Sequence, residues 1–223
     1  YYVDGNKGQD DTNTVDGKTP EKAFKTLERA YKALKDDAML PDASAKTTGG
    51  LIYIVDTVTL PDGLTIAQED VASVMKIGEA TYDTKGEVVI RRYSQPSDRS
   101  GLDGYEKESN TGNMFAVPED CTVNIQGVTI DGHSEAFVSE TKELNAPGVK
   151  AKGTIFKVSG TLNLGTDSSV FSNTILQNNT TTGNGGLIEI DKGTVNISGS
   201  VPGTVTDPET DTEVTTYGTS LRN

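Results

Sequence analysis

A short alternation of apolar and polar residues occurs three times in the second half of the chain. Residues 122–125, 161–164 and 194–197 read Thr-Val-Asn-Ile, Thr-Leu-Asn-Leu and Thr-Val-Asn-Ile. Each copy closely follows another short apolar alternation, and these begin at Met114, Ile155 and Leu187. A period of two indicates β-strands, and a paired phrase that returns in the same order indicates a repeat architecture. The pattern predicts a solenoid in which each unit stacks on the one before it.

The whole second part of the chain can be divided into five such units. Their first strands begin at residues 51, 74, 114, 155 and 187. Their second strands align as residues 64–66, 88–90, 123–125, 162–164 and 195–197, with the apolar outer positions predicted to point inward. Third strands are predicted at residues 128–130 and 174–176 and near Val205. Asn124, Asn163 and Asn196 then share one register and face away from the core. A β-sandwich is the competing class, but it would not repeat a two-strand phrase in order.

One helix is predicted before the strands. Thr19 is the predicted N-cap and Pro20 the first helical residue, and the helix is predicted to end near residues 35–36. Its apolar residues recur at three- and four-residue steps, which places them on one face: Phe24, Leu27, Tyr31 and Leu34. The predicted organisation is therefore an N-terminal loop and capping helix over residues 1–50, followed by stacked strands over residues 51–223 within one structural domain.

The amino-acid composition and charge limit the partners that the chain is expected to bind. The formal net charge of -13 repels nucleic acid, and 33% hydrophobic residues without tryptophan fits an elongated domain with a thin core. Cys121 is the single cysteine, so no disulfide forms within the chain, and its place before a strand predicts a buried apolar role. No apolar run approaches membrane-spanning length.

Two stretches resemble known proteins. Residues 2–5 (Tyr-Val-Asp-Gly), the Asp- and Gly-rich loop, residues 18–27 and the strand at 51–54 resemble the start of right-handed β-helix proteins of the pectate-lyase-like superfamily. Residues 185–199 resemble repeats of adhesin-like surface proteins from Gram-positive gut bacteria and some archaea. The resemblance implies an all-β fold, a right-handed parallel β-helix with an N-terminal capping α-helix, and a bacterial extracellular setting, cell-surface or secreted.

An acidic N-terminal loop is the candidate metal site. Calcium favours carboxylate and amide oxygens, and the loop supplies six such side chains, although their spacing does not match an EF-hand. The candidate calcium ligands are Asp4, Asn6, Asp10, Asp11, Asn13 and Asp16. The competing interpretation is a solvated loop held by turns in which Asp and Asn side chains bind nearby backbone. No other cofactor is predicted.

A charged cluster and the single histidine are the candidate catalytic residues. Pectate lyases hold calcium with carboxylates and abstract a proton with a basic residue, so the resemblance makes such a cluster relevant. The candidates are Arg91, Arg92, Asp98, Arg99, Asp103 and His133. No lyase motif surrounds them, and a salt-bridged loop and a turn histidine are the structural alternatives.

The expected function is that of a non-catalytic extracellular module in a larger adhesin-like protein, serving as a stalk or as a display region that binds a glycan. The expected partners are carbohydrate or a host surface protein, together with the rest of its own polypeptide. Residues 200–223 contain few inward-facing apolar positions, so we expect an incomplete last unit that continues beyond the chain end. The alternative is a polysaccharide lyase or glycoside hydrolase acting on an acidic, plant or host polysaccharide.

Overall fold

The computed structural model describes residues 1–11, 13–38, 50–66, 74–79, 88–93, 110–133, 152–165, 174–181, 186–198, 203–206, 213–216 and 220–221. Within these residues the protein is mostly β, with parallel sheets, a single 3₁₀ turn (Pro20–Lys22) and the helix α1 (Leu27–Ala38). No helix in this part of the chain is long and apolar enough to cross a membrane.

The strands are short and numerous. In chain order they are β1 (Tyr2–Asp4), β2 (Gly50–Asp56), β3 (Val58–Leu60), β4 (Leu64–Thr65), β5 (Val74–Glu79), β6 (Val89–Arg92), β7 (Phe115–Val117), β8 (Thr122–Gln126), β9 (Thr129–Asp131), β10 (Phe156–Val158), β11 (Thr161–Leu164), β12 (Ile175–Gln177), β13 (Ile188–Ile190), β14 (Thr194–Ile197), β15 (Gly203–Thr206), β16 (Glu213–Thr216) and β17 (Ser220–Leu221).

Three parallel sheets contain all of these strands except β15 and β16. The first sheet has the order β1-β2-β5-β8-β11-β14, the second β3-β6-β9-β12-β17, and the third β4-β7-β10-β13. From β2 to β14 the chain visits the first, second and third sheets strictly in turn, and each return adds one strand beside the previous one. The prediction of an all-β chain of parallel strands is confirmed, and the arrangement is compatible with a solenoid.

The register of the repeated phrase is confirmed. Strands β8, β11 and β14 pair in parallel, and each asparagine of the phrase lies beside the next. Val123 and Leu162 are buried, as predicted, because alternate residues of a strand face the same side. Val195 is only half-buried, which differs from the prediction, because β14 is the last strand of the first sheet among the described residues.

The predicted phase of the first two units was wrong. The strand at residue 51 (β2) and the strand at residue 74 (β5) pair within the first sheet, beside β8, and not with the strand at residue 114. The strand at residue 64 joins the third sheet, and the strand at residue 89 joins the second. All three sheets carry the same inward–outward alternation, so periodicity alone does not show which sheet a strand belongs to.

The predicted helix is divided into two pieces. Residues 20–22 form only a 3₁₀ turn, whose preceding Thr19 makes no side-chain cap hydrogen bond. Helix α1 begins at Leu27, after an extended segment in which Phe24 forms a bridge with Val3. The functional N-cap is Thr26, because its Oγ1 accepts a hydrogen bond from the backbone N–H of Arg29 at 3.2 Å. The N-terminus of the helix was therefore predicted seven residues too early.

The apolar face of this segment is buried against the first sheet. Helix α1 contacts β1 and β2. Its buried side chains join one continuous core with the inward residues of all three sheets. At Gly50, the first residue of β2, a Cβ would lie 2.9 Å from Cδ1 of Leu34, so the helix packs closely on this strand. Phe115 and Phe156 stack at the centre of the third sheet with ring centroids 5.0 Å apart.

The end of the described chain departs from the prediction of a third strand near Val205. Strand β15, which contains Val205, pairs antiparallel with β16 and with no strand of the three sheets. Strand β17 instead joins the second sheet beside β12. Thr and Val alternate in both of these segments, which are separated by a short polar stretch of sequence. This pattern favours a β-hairpin between two consecutive strands.

Candidate functional site

Arg92 is a charged residue with a fully buried side chain. It ends β6 at a position that pairs with the buried Leu60, so its side chain enters the interior and is 0% exposed. Gly132, which follows the neighbouring strand β9, lies beside this side chain. A Cβ at Gly132 would lie 2.6 Å from the Cβ of Asn179, so this corner accepts no larger residue.

Five acceptors surround the guanidinium group of Arg92. Four are backbone carbonyls and one is a side-chain amide, drawn from corners on successive strands of the second and third sheets. Nε donates to Gly132 O at 3.2 Å, Nη1 to Asn110 O at 3.2 Å and to Gly112 O, and Nη2 to Thr154 O at 3.3 Å and to Asn179 Oδ1 at 2.9 Å. We call these six residues the Arg92 corner. The donor capacity of the guanidinium is filled by the protein itself.

Burial lowers the pKa of Arg92 to about 10, since a buried charge loses its hydration. The group nevertheless stays protonated at neutral pH. Asn179 extends the corner by one more strand, because its Nδ2 donates to Gly153 O at 3.3 Å and to Gly186 O. The corner therefore ties together backbone segments that are far apart in the sequence.

Arg91 and His133 lie beside this corner. Arg91 points outward from the second sheet, and its Nε lies 3.4 Å from Asp131 Oδ2 on the neighbouring strand. The other oxygen of Asp131 accepts from the backbone N–H of His133 at 2.8 Å. His133 has a left-handed φ of 54°, and its Nδ1 lies 3.1 Å from the carbonyl oxygen of Arg92. Three of the six catalytic candidates thus meet at one corner; Asp98, Arg99 and Asp103 lie outside the described residues.

Five of the six corner residues were not predicted from the sequence as site residues: Asn110, Gly112, Gly132, Thr154 and Asn179. Each is a small or polar residue in a turn, and such residues are usually exposed. In the structure, Asn178 has nearly the same left-handed φ, 53°, as His133 one strand earlier. Recurrent left-handed residues at equivalent corners indicate where the solenoid-like arrangement turns.

In the acidic N-terminal loop, carboxylates accept hydrogen bonds from nearby backbone N–H groups. Asp4 Oδ1 accepts from the N–H groups of Asn6 and Lys7, and Asp11 Oδ1 from the N–H of Asn13. Asp16 Oδ1 accepts from the N–H of Lys18 in the same way. These are the side-chain turns that Asp and Asn favour.

Asp10 has a longer-range role. Its Oδ1 accepts from the N–H groups of Lys25 and Thr26, and its Oδ2 accepts from Thr26 Oγ1 at 2.9 Å. This carboxylate lies at the start of α1, where negative charge is favourable. In the described part of the chain, no group of three or more His, Cys, Asp or Glu side chains is arranged to hold a metal ion. Calcium binding by this loop stays a prediction.

The outer face of the first sheet carries two regular columns of side chains. In one column, Asn196 Nδ2 donates to Asn163 Oδ1 and Asn163 Nδ2 donates to Asn124 Oδ1, both at 2.8 Å. In the adjacent column, Tyr2 and Tyr53 are register partners and stack with ring centroids 5.1 Å apart at 25°. The next register position after Tyr53 is Gly78, which has no side chain to cover the ring. We call these two columns the Tyr–Asn face.

Comparison with known proteins does not assign the chain to a family. No family model matches it, and no curated protein and no solved structure matches it either. Within the described residues, the structure is mostly β, with three parallel sheets, the antiparallel β15–β16 pair and one α-helix.

Proposed function

We propose that this chain is a right-handed parallel β-helix module of an extracellular, adhesin-like protein, and that its Tyr–Asn face binds a glycan without catalysis. The β-helix is supported by the strict rotation of the strands through three parallel sheets. A capping role for α1 is supported by its burial against β1 and β2. Such folds host many activities, so the function must be argued from the site.

The Tyr–Asn face is the observation that carries the proposal. The rings of Tyr2 and Tyr53 are half-buried, so each has a fixed orientation and an exposed part. A flat aromatic surface can pack against the apolar face of a sugar ring, and Tyr adds a hydroxyl at its edge. The amides of Asn124, Asn163 and Asn196 offer donors and acceptors at one spacing along the sheet, about 4.8 Å apart. A chain of sugars laid across the strands would meet both columns.

The net charge of the protein favours neutral glycans over acidic ones. The formal net charge of -13 repels polyanionic sugars at low salt. The register places Lys76 beside Asn124 in the asparagine column, and the remaining named groups of the Tyr–Asn face are neutral, so neutral oligosaccharides are the proposed ligands.

The test is binding to immobilised neutral and acidic oligosaccharides, with Tyr53→Ala as the variant. We expect binding to a neutral oligosaccharide and about tenfold weaker binding by the variant, because a lost aromatic contact is worth about 1 kcal/mol or more. Thr59→Ala is the matched control, since Thr59 is exposed on the second sheet. Equal affinities of Tyr53→Ala and the parent protein would contradict the proposal.

A polysaccharide lyase is the second candidate, because Arg91, Arg92 and His133 meet at one corner next to Asp131. The five filled donors of Arg92 weigh against it, since a proton-abstracting group must face its substrate. We expect no rise in ultraviolet absorbance from unsaturated sugars when the protein is mixed with pectin, alginate or chondroitin, with or without calcium. Product formation that is lost in Arg91→Ala and in His133→Ala would replace the binding proposal by an enzymatic one.

A further inference from the structure

An open hollow of about 270 Å³ lies between the N-terminal loop and helix α1. The aromatic part of its lining consists of Tyr1 and Phe24, whose ring centroids are 5.8 Å apart. Lys18 of the loop and Arg29 of the helix also line it, and we call it the Arg29 hollow. Pockets for drug-sized ligands span about 300–1,000 Å³, so this hollow suits a smaller molecule.

The guanidinium group of Arg29 is held in place without a full set of acceptors. Its Cζ lies 4.4 Å from the centroid of the Phe24 ring, and such stacking fixes the guanidinium plane. Its Nη1 is buried and makes no hydrogen bond with a described residue. A buried donor without an acceptor is costly, because it has lost water and gained no partner. A fixed, planar guanidinium of this kind matches the two oxygens of a carboxylate.

Carboxylates form the other charged part of the lining. Asp16 and Asp37 each have one oxygen engaged: Asp16 Oδ1 accepts from the backbone N–H of Lys18 at 3.1 Å, and Asp37 Oδ2 accepts from the hydroxyl of Tyr1. A third carboxylate, Asp36, takes part in an exposed ion pair on α1. The second oxygens of Asp16 and Asp37 are therefore the acceptors that this lining offers to a cation.

The balance of charge in the hollow selects the class of ligand. Two cations, Lys18 and Arg29, are balanced by the two carboxylates Asp16 and Asp37. A simple anion would be attracted by the first pair and repelled by the second, and a simple cation would meet the opposite problem. A zwitterion can place each of its charges beside a group of the opposite sign.

We propose that the Arg29 hollow binds a free α-amino acid with an apolar side chain. The carboxylate of the ligand accepts hydrogen bonds from Arg29, and its ammonium group lies toward Asp16 and Asp37. The apolar side chain packs on the rings of Tyr1 and Phe24. This site belongs to the N-terminal segment and is independent of glycan binding by the Tyr–Asn face.

Three matched probes test the ligand class by isothermal titration calorimetry of the whole chain. L-leucine carries both charges, 4-methylpentanoate lacks the ammonium group, and 3-methylbutylamine lacks the carboxylate. We expect saturable binding of L-leucine and at least about tenfold weaker binding of each analogue, because each loses a charge-assisted hydrogen bond. No binding of L-leucine, or equal binding of either analogue, overturns the proposal.

Asp16→Asn tests the ammonium end of the site. Asparagine keeps the oxygen that accepts from the backbone N–H of Lys18, so the turn is preserved while the negative charge is lost. L-leucine should bind at least about threefold more weakly, and 4-methylpentanoate should bind as well as before or more tightly. Unchanged binding of L-leucine would contradict the placement of its ammonium group beside Asp16.

Arg29→Met tests the carboxylate end. Methionine can still pack on the Phe24 ring but donates no hydrogen bond, so L-leucine binding should fall at least about tenfold. The melting temperature should stay unchanged or rise, because the deleted donor Nη1 has no acceptor in the described part of the chain. Lys22→Met removes an exposed cation of the same segment outside the lining and should bind L-leucine normally. Unchanged binding by Arg29→Met overturns the proposal, and so does a marked fall in its melting temperature, which would assign Arg29 a structural role.

Discussion

Replacing Arg92 by methionine should lower the free energy of unfolding by about 3–5 kcal/mol, because several buried carbonyl groups lose their donor at once. Methionine fills much of the same volume but donates no hydrogen bond. The carbonyls of Asn110, Gly112, Gly132 and Thr154 would then stay unpaired or admit water. Urea denaturation followed by circular dichroism measures the change.

The neighbouring Arg91 supplies the matched control. Its side chain is 40% exposed and makes one ion pair with Asp131, so Arg91→Met should cost about 1 kcal/mol or less. Arg92→Lys should fall between the two, since lysine keeps the charge but has three donors in place of five. If Arg92→Met and Arg91→Met unfolded at the same urea concentration, the hydrogen bonds of the Arg92 corner would not contribute the stability that we expect from them.

Introducing a carboxylate at Leu27 should destabilise the protein by about 4 kcal/mol or more. Leu27 is 0% exposed at the start of α1 and belongs to the continuous core, so Leu27→Asp loses apolar burial and places a charge without a partner. Loss of the docked helix would also uncover the edge of the first sheet. The expected readouts are a lower melting temperature and faster amide hydrogen exchange in β1 and β2.

Lys32→Asp is the control for that experiment. It places the same carboxylate on the exposed side of α1, where Lys32 makes only an exposed ion pair with Asp36 at 2.8 Å. The expected loss is about 1 kcal/mol, because the exposed ion pair is replaced by a like-charge pair. A similar loss of stability in both variants would mean that helix propensity, and not burial of the apolar face, accounts for the effect of Leu27→Asp.

The catalytic and metal candidates show how residue type can suggest a site before geometry is known. Arg92 and Asp10 are candidates in the sequence because charged groups can act in catalysis or bind calcium. In the structure Arg92 donates to five acceptors of the protein, and Asp10 accepts three hydrogen bonds at the start of α1. The sequence could not show this, because the partners of Arg92 lie 18 to 87 residues away along the chain.

The sequence by itself determined the strand periodicity, the parallel register of β8, β11 and β14, and the outward asparagine column. These features follow from short local phrases, and a register error of one residue would turn every apolar side chain outward. It also determined the apolar face of α1. Only the tertiary structure decided which sheet β2, β5 and β6 join, because all three sheets share one alternation. It likewise decided the start of α1, where Phe24 pairs with Val3, and the burial of Arg92, whose five acceptors come from distant parts of the chain.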